Sequence, residues 1–224
     1  MFYKFPSTPY IEVDSTVKRN DKILSQKEVS QLLCNEIIIE EKIDGANLGI
    51  SFDMNGQIKL QNRGEYILSP YLGQWKKISE WLIKHEDNIF DVITNEYILY
   101  GEWCYMKHSV YYDALPDWFV GFDIFDIKKE KFLSVNIRDK MFSNMGIVSV
   151  PQLGKGIYSV EELNKFFGIS KYGKELCEGI YIRLDKNGIL EYRAKMVRNE
   201  FRQNIGEHWS KGILQCNKLK IINI

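Results

Sequence analysis

The chain has 224 residues, 45% hydrophobic and 13% aromatic, which excludes a disordered chain and suffices for the core of one large domain. Thirty Lys and Arg balance thirty Asp and Glu, so no global field announces a polyanionic partner, and any nucleic-acid site must be a local patch. No Cys-x-x-Cys pair, no zinc-type histidine spacing, no apolar signal core and no run near the ~20 apolar residues of a membrane span occurs, so a cytoplasmic protein without a membrane is expected.

In chain order, the pattern predicts a helix around Ser25 to Leu33, then a strand from about Glu36 to Ile43. Leu48 to Phe52 and Ile58 to Leu60 flank Asp53-Met54-Asn55-Gly56 as a hairpin. Ser69-Pro70 has the form of a helix start, and Trp75, Ile78, Leu82, His85 and Ile89 recur at helical spacing, which makes His85 a packing residue. Tyr97 to Tyr105 and Trp118 to Ile127 read as strands, Val135 to Met145 and Ser159 to Phe167 as helices, the latter opened by a capping box. A second hairpin spans Gly179 to Leu184 and Ile189 to Val197 around Asp185-Lys186-Asn187-Gly188, and a helix is expected from Asn199 to Trp209. Strands outnumber helices and are joined mostly as hairpins, which argues an α+β domain with antiparallel sheets and flanking helices.

Glu41-Lys42-Ile43-Asp44-Gly45 stands where the apolar run Ile37-Ile38-Ile39 ends and a glycine turn begins. A strand end is a rigid mount for a nucleophilic lysine, and glycine lets the backbone pass close to a nucleotide. Such a lysine must lose its proton to attack, so burial or neighbouring cations are expected to lower its pKa. Lys195 and Arg63 are suitable cations for phosphate oxygens, and Glu178 is a suitable carboxylate for Mg²⁺.

The segments around this lysine resemble, in order and spacing, the covalent nucleotidyltransferases: ATP-dependent RNA and DNA ligases and mRNA-capping guanylyltransferases. Lys42-Ile43-Asp44-Gly45 is similar to motif I, with Ala46-Asn47 pointing to the RNA ligase 2-like branch. Gln61-Asn62-Arg63-Gly64 is similar to motif Ia, Tyr100-Gly101-Glu102-Trp103 to motif III and Phe119-Val120-Gly121-Phe122-Asp123-Ile124 to motif IIIa. Glu178-Gly179-Ile180-Tyr181-Ile182-Arg183 resembles motif IV, and Arg193-Ala194-Lys195 motif V. The resemblance implies one nucleotidyltransferase (ATP-grasp-like) domain over residues 1–224, catalysed by Lys42 and Lys195. It implies nucleotide binding by Glu41, Arg63, Glu102, Phe122 and Lys195, with adenine stacked on Phe122, the ribose hydroxyls on Glu102 and the adenine edge by Glu41. Glu178 would engage Mg²⁺ or Mn²⁺; Asp44, Asn47, Arg183 and Arg193 are further site candidates. Asp44 reads equally as a residue that fixes the turn.

Two departures from the family pattern stand out. Motif V usually carries two lysines, and here the first is Arg193, where exchange to lysine is expected to be tolerated. Lys195 is followed by 29 residues of the 224, too few for an OB domain of five strands, so no OB domain and only a short helical tail over 198–224 is expected. Arg198, Arg202, Lys211, Lys218 and Lys220 there form either a phosphate-tracking patch or a solvated helix face. The expected function is an ATP-dependent RNA ligase acting in RNA repair through a lysyl-AMP intermediate, sealing 3′-hydroxyl and 5′-phosphate ends of a nicked duplex or broken tRNA, with DNA a less favoured substrate. The alternatives are a DNA ligase, a capping guanylyltransferase, or a reduced nucleotide- or RNA-end-binding protein completed by a partner protein that supplies a C-terminal domain.

Overall fold

The computed structural model of the chain describes residues 2–11, 22–198 and 215–221. Helix α1, Gln26–Leu33, starts at Ser25, whose hydroxyl accepts from the Glu28 amide while the Glu28 carboxylate accepts from the Ser25 amide. Strand β1 (Ile37–Lys42) is followed by the hairpin β2 (Ala46–Phe52) and β3 (Ile58–Gln61), whose turn holds Gly56 at φ 73°. Then come α2 (Ile78–Ile93), β4 (Tyr97–Trp103), β5 (Phe119–Asp126), β6 (Lys131–Phe132), α3 (Val135–Met145), β7 (Val148–Ser149) and β8 (Gln152–Gly156). Helix α4 (Val160–Leu163), β9 (Gly179–Lys186) and β10 (Ile189–Val197) complete the described elements.

Two sheets result. One has the order β10-β9-β1-β8 and the other β3-β2-β4-β5-β6; all of these neighbours are antiparallel, and β7 lies parallel on β5. The period of two along each strand sorts its residues between faces. In the first sheet Ile37, Ile39, Ile180, Ile182, Ala194 and Met196 pack under Leu32 and Leu33 of α1 and Leu163 of α4, each large aliphatic contributing roughly 1.5–3 kcal/mol by burial. In the second, Leu48, Ile50, Leu99, Trp103 and Phe119 pack under Trp81 and Ile89 of α2 and Phe142 of α3. The opposite face of the first sheet carries charge: Glu40 of β1, Tyr181 of β9 and Lys195 of β10 stand in one cross-strand row.

The charge between the sheets is locked. Arg138 of α3 donates to Glu40 at 2.6 Å and to the Phe122 carbonyl at 2.7 Å; both carboxylate and guanidinium are 1% exposed. Arg183 of β9, at 0% exposure, pairs with Asp123 of β5 and donates to the Leu133 carbonyl at 2.9 Å. These contacts tie β1 and β9 in one sheet to β5 in the other.

The structure departs from the sequence pattern in four places. The helix expected from Ser69-Pro70 begins instead at Ile78, because Gly73 at φ 58° interrupts the run and only a short 3₁₀ turn, Gly73–Trp75, forms before it. Ser159 does open a capping box, but α4 gives way to a 3₁₀ turn over Asn164–Phe166 that sets the Phe166 ring edge-on to Tyr158 at 5.3 Å. Strand β8, rich in glycine and partly exposed, has no periodic signature and was not anticipated. The helix expected over Asn199 to Trp209 lies outside the described residues, while residues 215–221 of the expected helical tail run extended, with bridges Met106 to Cys216 and Leu115 to Leu219. Among the described residues no helix is long and apolar enough to cross a membrane.

Removing one member of a buried ion pair strands its partner, at a cost of about 3–5 kcal/mol. Arg138→Met is therefore expected to lower the urea midpoint by that equivalent with little change in slope. A midpoint within about 0.5 kcal/mol of wild type would show that Glu40 does not depend on Arg138.

Candidate active site

β1 belongs to the first sheet and β2 to the second, so Ile43-Asp44-Gly45 carries the chain across, and Lys42 stands at the junction. Gly45 permits the crossing: a Cβ there would lie 2.9 Å from the Trp103 carbonyl oxygen and 3.0 Å from Cys104 Sγ. Opposite Lys42 in the ladder is Gly179, where a Cβ would meet the Met196 carbonyl oxygen at 2.2 Å. That glycine brings the preceding Glu178 close enough for its Oε2 to accept from Lys42 Nζ at 2.5 Å.

A cavity of about 530 Å³, counting its open mouth, opens between the sheets beside Lys42. Glu41, Lys42, Arg63, Glu102, Phe122 and Lys195 all line it, although they come from β1, β3's following turn, β4, β5 and β10. Arg63 is presented by a turn in which Asn62 Oδ1 accepts from the amides of Gly64 and Glu65, at 2.7 and 2.9 Å. Lys195 is 9% exposed, with Nζ 4.1 Å from the centre of the Tyr10 ring. Glu41 is buried, its carboxylate accepting from Ser170 Oγ at 2.5 Å and the Lys171 amide at 3.0 Å. A second, more polar chamber shares Lys42, Arg63 and Glu102 and adds Asn47, Asn62, Gln74, Trp75 and His108. Asn47 stands in it 8% exposed, with neither side-chain polar atom hydrogen-bonded.

The other candidates are placed elsewhere. The carboxylate of Asp44 turns away and accepts from the amides of Ser109 and Val110 at 2.6 and 2.9 Å. Arg183 lies beneath the cavity in the buried ion network. Arg193 is sandwiched between the rings of Phe5 and Phe132, 4.7 and 4.5 Å from their centres, and reaches Asp123 at 3.5 Å and the Tyr181 hydroxyl at 3.4 Å. It does not line the cavity. The lining also includes Phe5, Thr8 and Tyr181, which the sequence pattern did not single out. The N-terminal segment reaches the site because Tyr10 bridges to Lys195 on β10 and Phe5 sets its ring edge against Phe122 at 5.1 Å. The alternation Tyr3, Phe5 was the available signal: Tyr3 stacks on Phe125 at 3.9 Å.

The electrostatics reverse one expectation. Burial pushes Lys42 down, but Glu178, Glu102 and Asp44 together outweigh it and hold its pKa above the ordinary lysine value. The expected neighbouring cations are present in Arg63 and Lys195, yet the carboxylates from β4 and from the residue before β9 dominate. Lys42 is thus held as an ammonium. Glu178 is itself raised by burial. Glu102 is pushed up to about 8, chiefly by burial and against the pull of Lys42 and Arg63, and its Oε2 has no partner.

Metal binding can be tested against the donors. Among the described residues no group of three or more His, Cys, Asp or Glu could enclose an ion. Mg²⁺ or Mn²⁺ commonly takes only one or two carboxylates and completes its shell with phosphate oxygens and water, and Glu178 next to Lys42 fits that mode. The orphaned Glu102 Oε2 fits a hydroxyl donor such as a ribose.

Two outcomes follow from these placements. Because Arg193 fills a slot between two rings and reaches an acid and a hydroxyl at once, Arg193→Lys is expected to cost about 1–2 kcal/mol, contrary to the tolerance read from the motif. An unchanged denaturation midpoint would refute that. Glu102 has a folded pKa near 8 against 4.5 for the unfolded chain, so the folded state holds the extra proton and stability falls as pH rises through that window. Glu102→Gln removes this loss, so its melting temperature is expected to gain on wild type between pH 5 and pH 8. A constant difference across that range would place the Glu102 pKa near the unfolded value.

A family model described as RNA ligase matches residues 35–197, more than half of the chain. A search of curated proteins found no significant match. Among solved structures the chain is similar to Naegleria gruberi RNA ligase with PPi, at TM-score 0.63 and 16% identity over 91% of this chain and 63% of that one. A lysine-to-alanine mutant of the same ligase with ATP and Mn gives TM-score 0.60 and 14% identity over 79% of this chain and 54% of that one. A lysine-to-methionine mutant with AMP and Mn gives 0.59 and 14% over 79% and 54%. The chain thus spans about half of these ligases, and the likeness shows that it shares their fold. With the motif segments gathered around one cavity and the family pattern running from Asn35 to Val197, this chain belongs to the RNA ligase family.

Proposed function

We propose that the chain is the adenylylating part of an ATP-dependent RNA ligase that works through a Lys42–AMP intermediate. The observation that carries this reading is Lys42 Nζ, bonded to Glu178, at the edge of a cavity shared by Phe122, Glu102, Arg63 and Lys195. Phe122 offers its ring to adenine and Glu102 Oε2 accepts from a ribose hydroxyl. Lys195 and Arg63 sit where the phosphates would emerge. A divalent cation held by Glu178 would neutralise phosphate charge and compete with Lys42 for that carboxylate.

Lys42 Nζ first gives up a proton, for which Glu178 Oε2 is the hydrogen-bonded acceptor. Its lone pair then attacks the α-phosphorus, an N–P bond forms, and the bond to the bridging oxygen breaks to release pyrophosphate. Next, an oxygen of the RNA 5′-phosphate attacks the same phosphorus, the N–P bond breaks and the amine recovers its proton. Finally the 3′-oxygen attacks the activated 5′-phosphorus, its hydroxyl proton leaves to solvent, and AMP departs. The polar chamber with Asn47, Gln74, Trp75 and His108 adjoins Lys42, and it offers the RNA end the unpartnered Asn47 amide and an aromatic surface.

The purified protein with labelled ATP and Mg²⁺ or Mn²⁺ is expected to form a denaturation-stable AMP adduct that Lys42→Ala abolishes. Glu178→Ala should lose far more adduct than the exposed control Glu191→Ala. Lys195→Ala should slow adduct formation by about 30- to 1000-fold, the equivalent of about 2–4 kcal/mol for one preorganised charge contact. Adduct on another residue would overturn the assignment, and a GMP adduct would indicate capping chemistry instead.

A further inference from the structure

Residues 215–221 cross the loop 104–117 as a strap, and Asn217 is its pin. At 3% exposure, Asn217 donates from its backbone amide to the Tyr105 carbonyl at 3.0 Å and from Nδ2 to the Cys104 carbonyl at 2.8 Å, and Oδ1 accepts from the Tyr112 amide at 2.9 Å. The Lys218 amide adds a bond to the Tyr112 carbonyl at 2.9 Å, and its carbonyl accepts from the Leu115 amide at 3.0 Å. The Asn217 side chain therefore satisfies two polar groups of a loop that makes few of its own ladder bonds, and its backbone amide a third.

That loop in turn holds the turn after Lys42. Its Ser109 and Val110 amides donate to Asp44 Oδ2, and the Asp44 amide donates to the Tyr112 hydroxyl at 2.8 Å. Ile43 packs in one buried cluster with Cys104, Val110, Tyr112 and Leu115. Gly45 already lies against Trp103 and Cys104 with no space for a Cβ, so the turn and the start of the loop move together or not at all. The chain of contact runs from Asn217 through Tyr112 to Asp44, and Asp44 is two residues from the nucleophile.

We infer that Asn217 is a positioning residue for the adenylylation step: the strap fixes loop 104–117, and the loop fixes the direction in which Lys42 leaves β1. Glu41 and the cavity walls that hold the base and ribose are built on other elements. Loss of the pin should therefore misplace the amine while leaving nucleotide affinity nearly intact, and displacement by about 1 Å costs up to about 100-fold in rate. This inference rests on the reading of Lys42 as the adenylylated residue.

The test compares full-length Asn217→Ala, Tyr112→Phe and Leu163→Ala with wild type. Leu163 lies in the separate core under the first sheet and controls for general destabilisation. Single-turnover adduct formation at saturating ATP is expected to fall about 10- to 100-fold in Asn217→Ala. The ATP concentration for half-maximal rate should move less than about 3-fold, as expected when binding is spared. Tyr112→Phe, which keeps the ring and removes only the hydroxyl that accepts from Asp44, should show a smaller loss of the same kind. It decides the matter if Asn217→Ala does not fold. Wild-type rates in the folded variants, or an equal loss in Leu163→Ala, overturn the inference. A wild-type chain that forms no adduct overturns the functional reading as well, so the two failures are distinct.

Discussion

Arg138 and Arg183 lie almost wholly out of water between two sheets, and a guanidinium stays there only if carboxylates and carbonyls meet it at close range. Glu40, Asp123 and the carbonyls of Phe122 and Leu133 do so. The Phe122 carbonyl is the shared point, receiving Arg138 at 2.7 Å and Arg183 at 3.4 Å. The Phe122 ring that lines the cavity is thereby mounted on the same bonds that hold the sheets together, and the cleft width is set by ion-pair geometry. A purely apolar interface would leave strand β5 freer to slide, because hydrophobic contact has no direction.

Lys42, the nucleophile of the proposed function, presents a problem of sign. A lysine ringed by Glu178, Glu102 and Asp44 is well placed but charged. An ammonium does not attack electrophiles, and its positive charge attracts anions. On the proposed function, reactivity would have to come from a redistribution of the charge around Lys42, to which Glu178 is bonded directly.

Much of this was legible in the sequence, and the reasons are local. Ser25 and Ser159 announce their capping boxes, Gly56 and Gly188 their hairpins, and the step from Ile37-Ile38-Ile39 to Asp44-Gly45 marks the strand end that carries Lys42. What was hidden depends on pairing across long separations. Phe5 carries only the short alternation with Tyr3, Thr8 carries no periodic signal, and the docking of Tyr10 on Lys195 and of Phe5 on Phe122 brings them to the cavity. Arg183 and Arg193 share a face with Tyr181 and Lys195 by the period of two, so the pattern alone could not tell which row lines the cavity and which sinks beneath it. The sign of the Lys42 shift was out of reach for the same cause, since its dominant partners stand at 102 and 178.

The pairing of β1 with β9 has a consequence for how the molecule comes into being. Lys42 and Glu178 are 136 residues apart, and β1 has neighbours only in β8 and β9. During synthesis the main path of the second sheet, drawn from residues 46–132 with β7 added at 148–149, can assemble first, while Ile37-Ile38-Ile39 waits as an unpaired apolar strand. Late closure of so distant a ladder makes for slow folding and an interval of exposed edge. The nascent chain would then need shielding at β1 for a long interval, and the cavity beside Lys42 would be among the last features to appear.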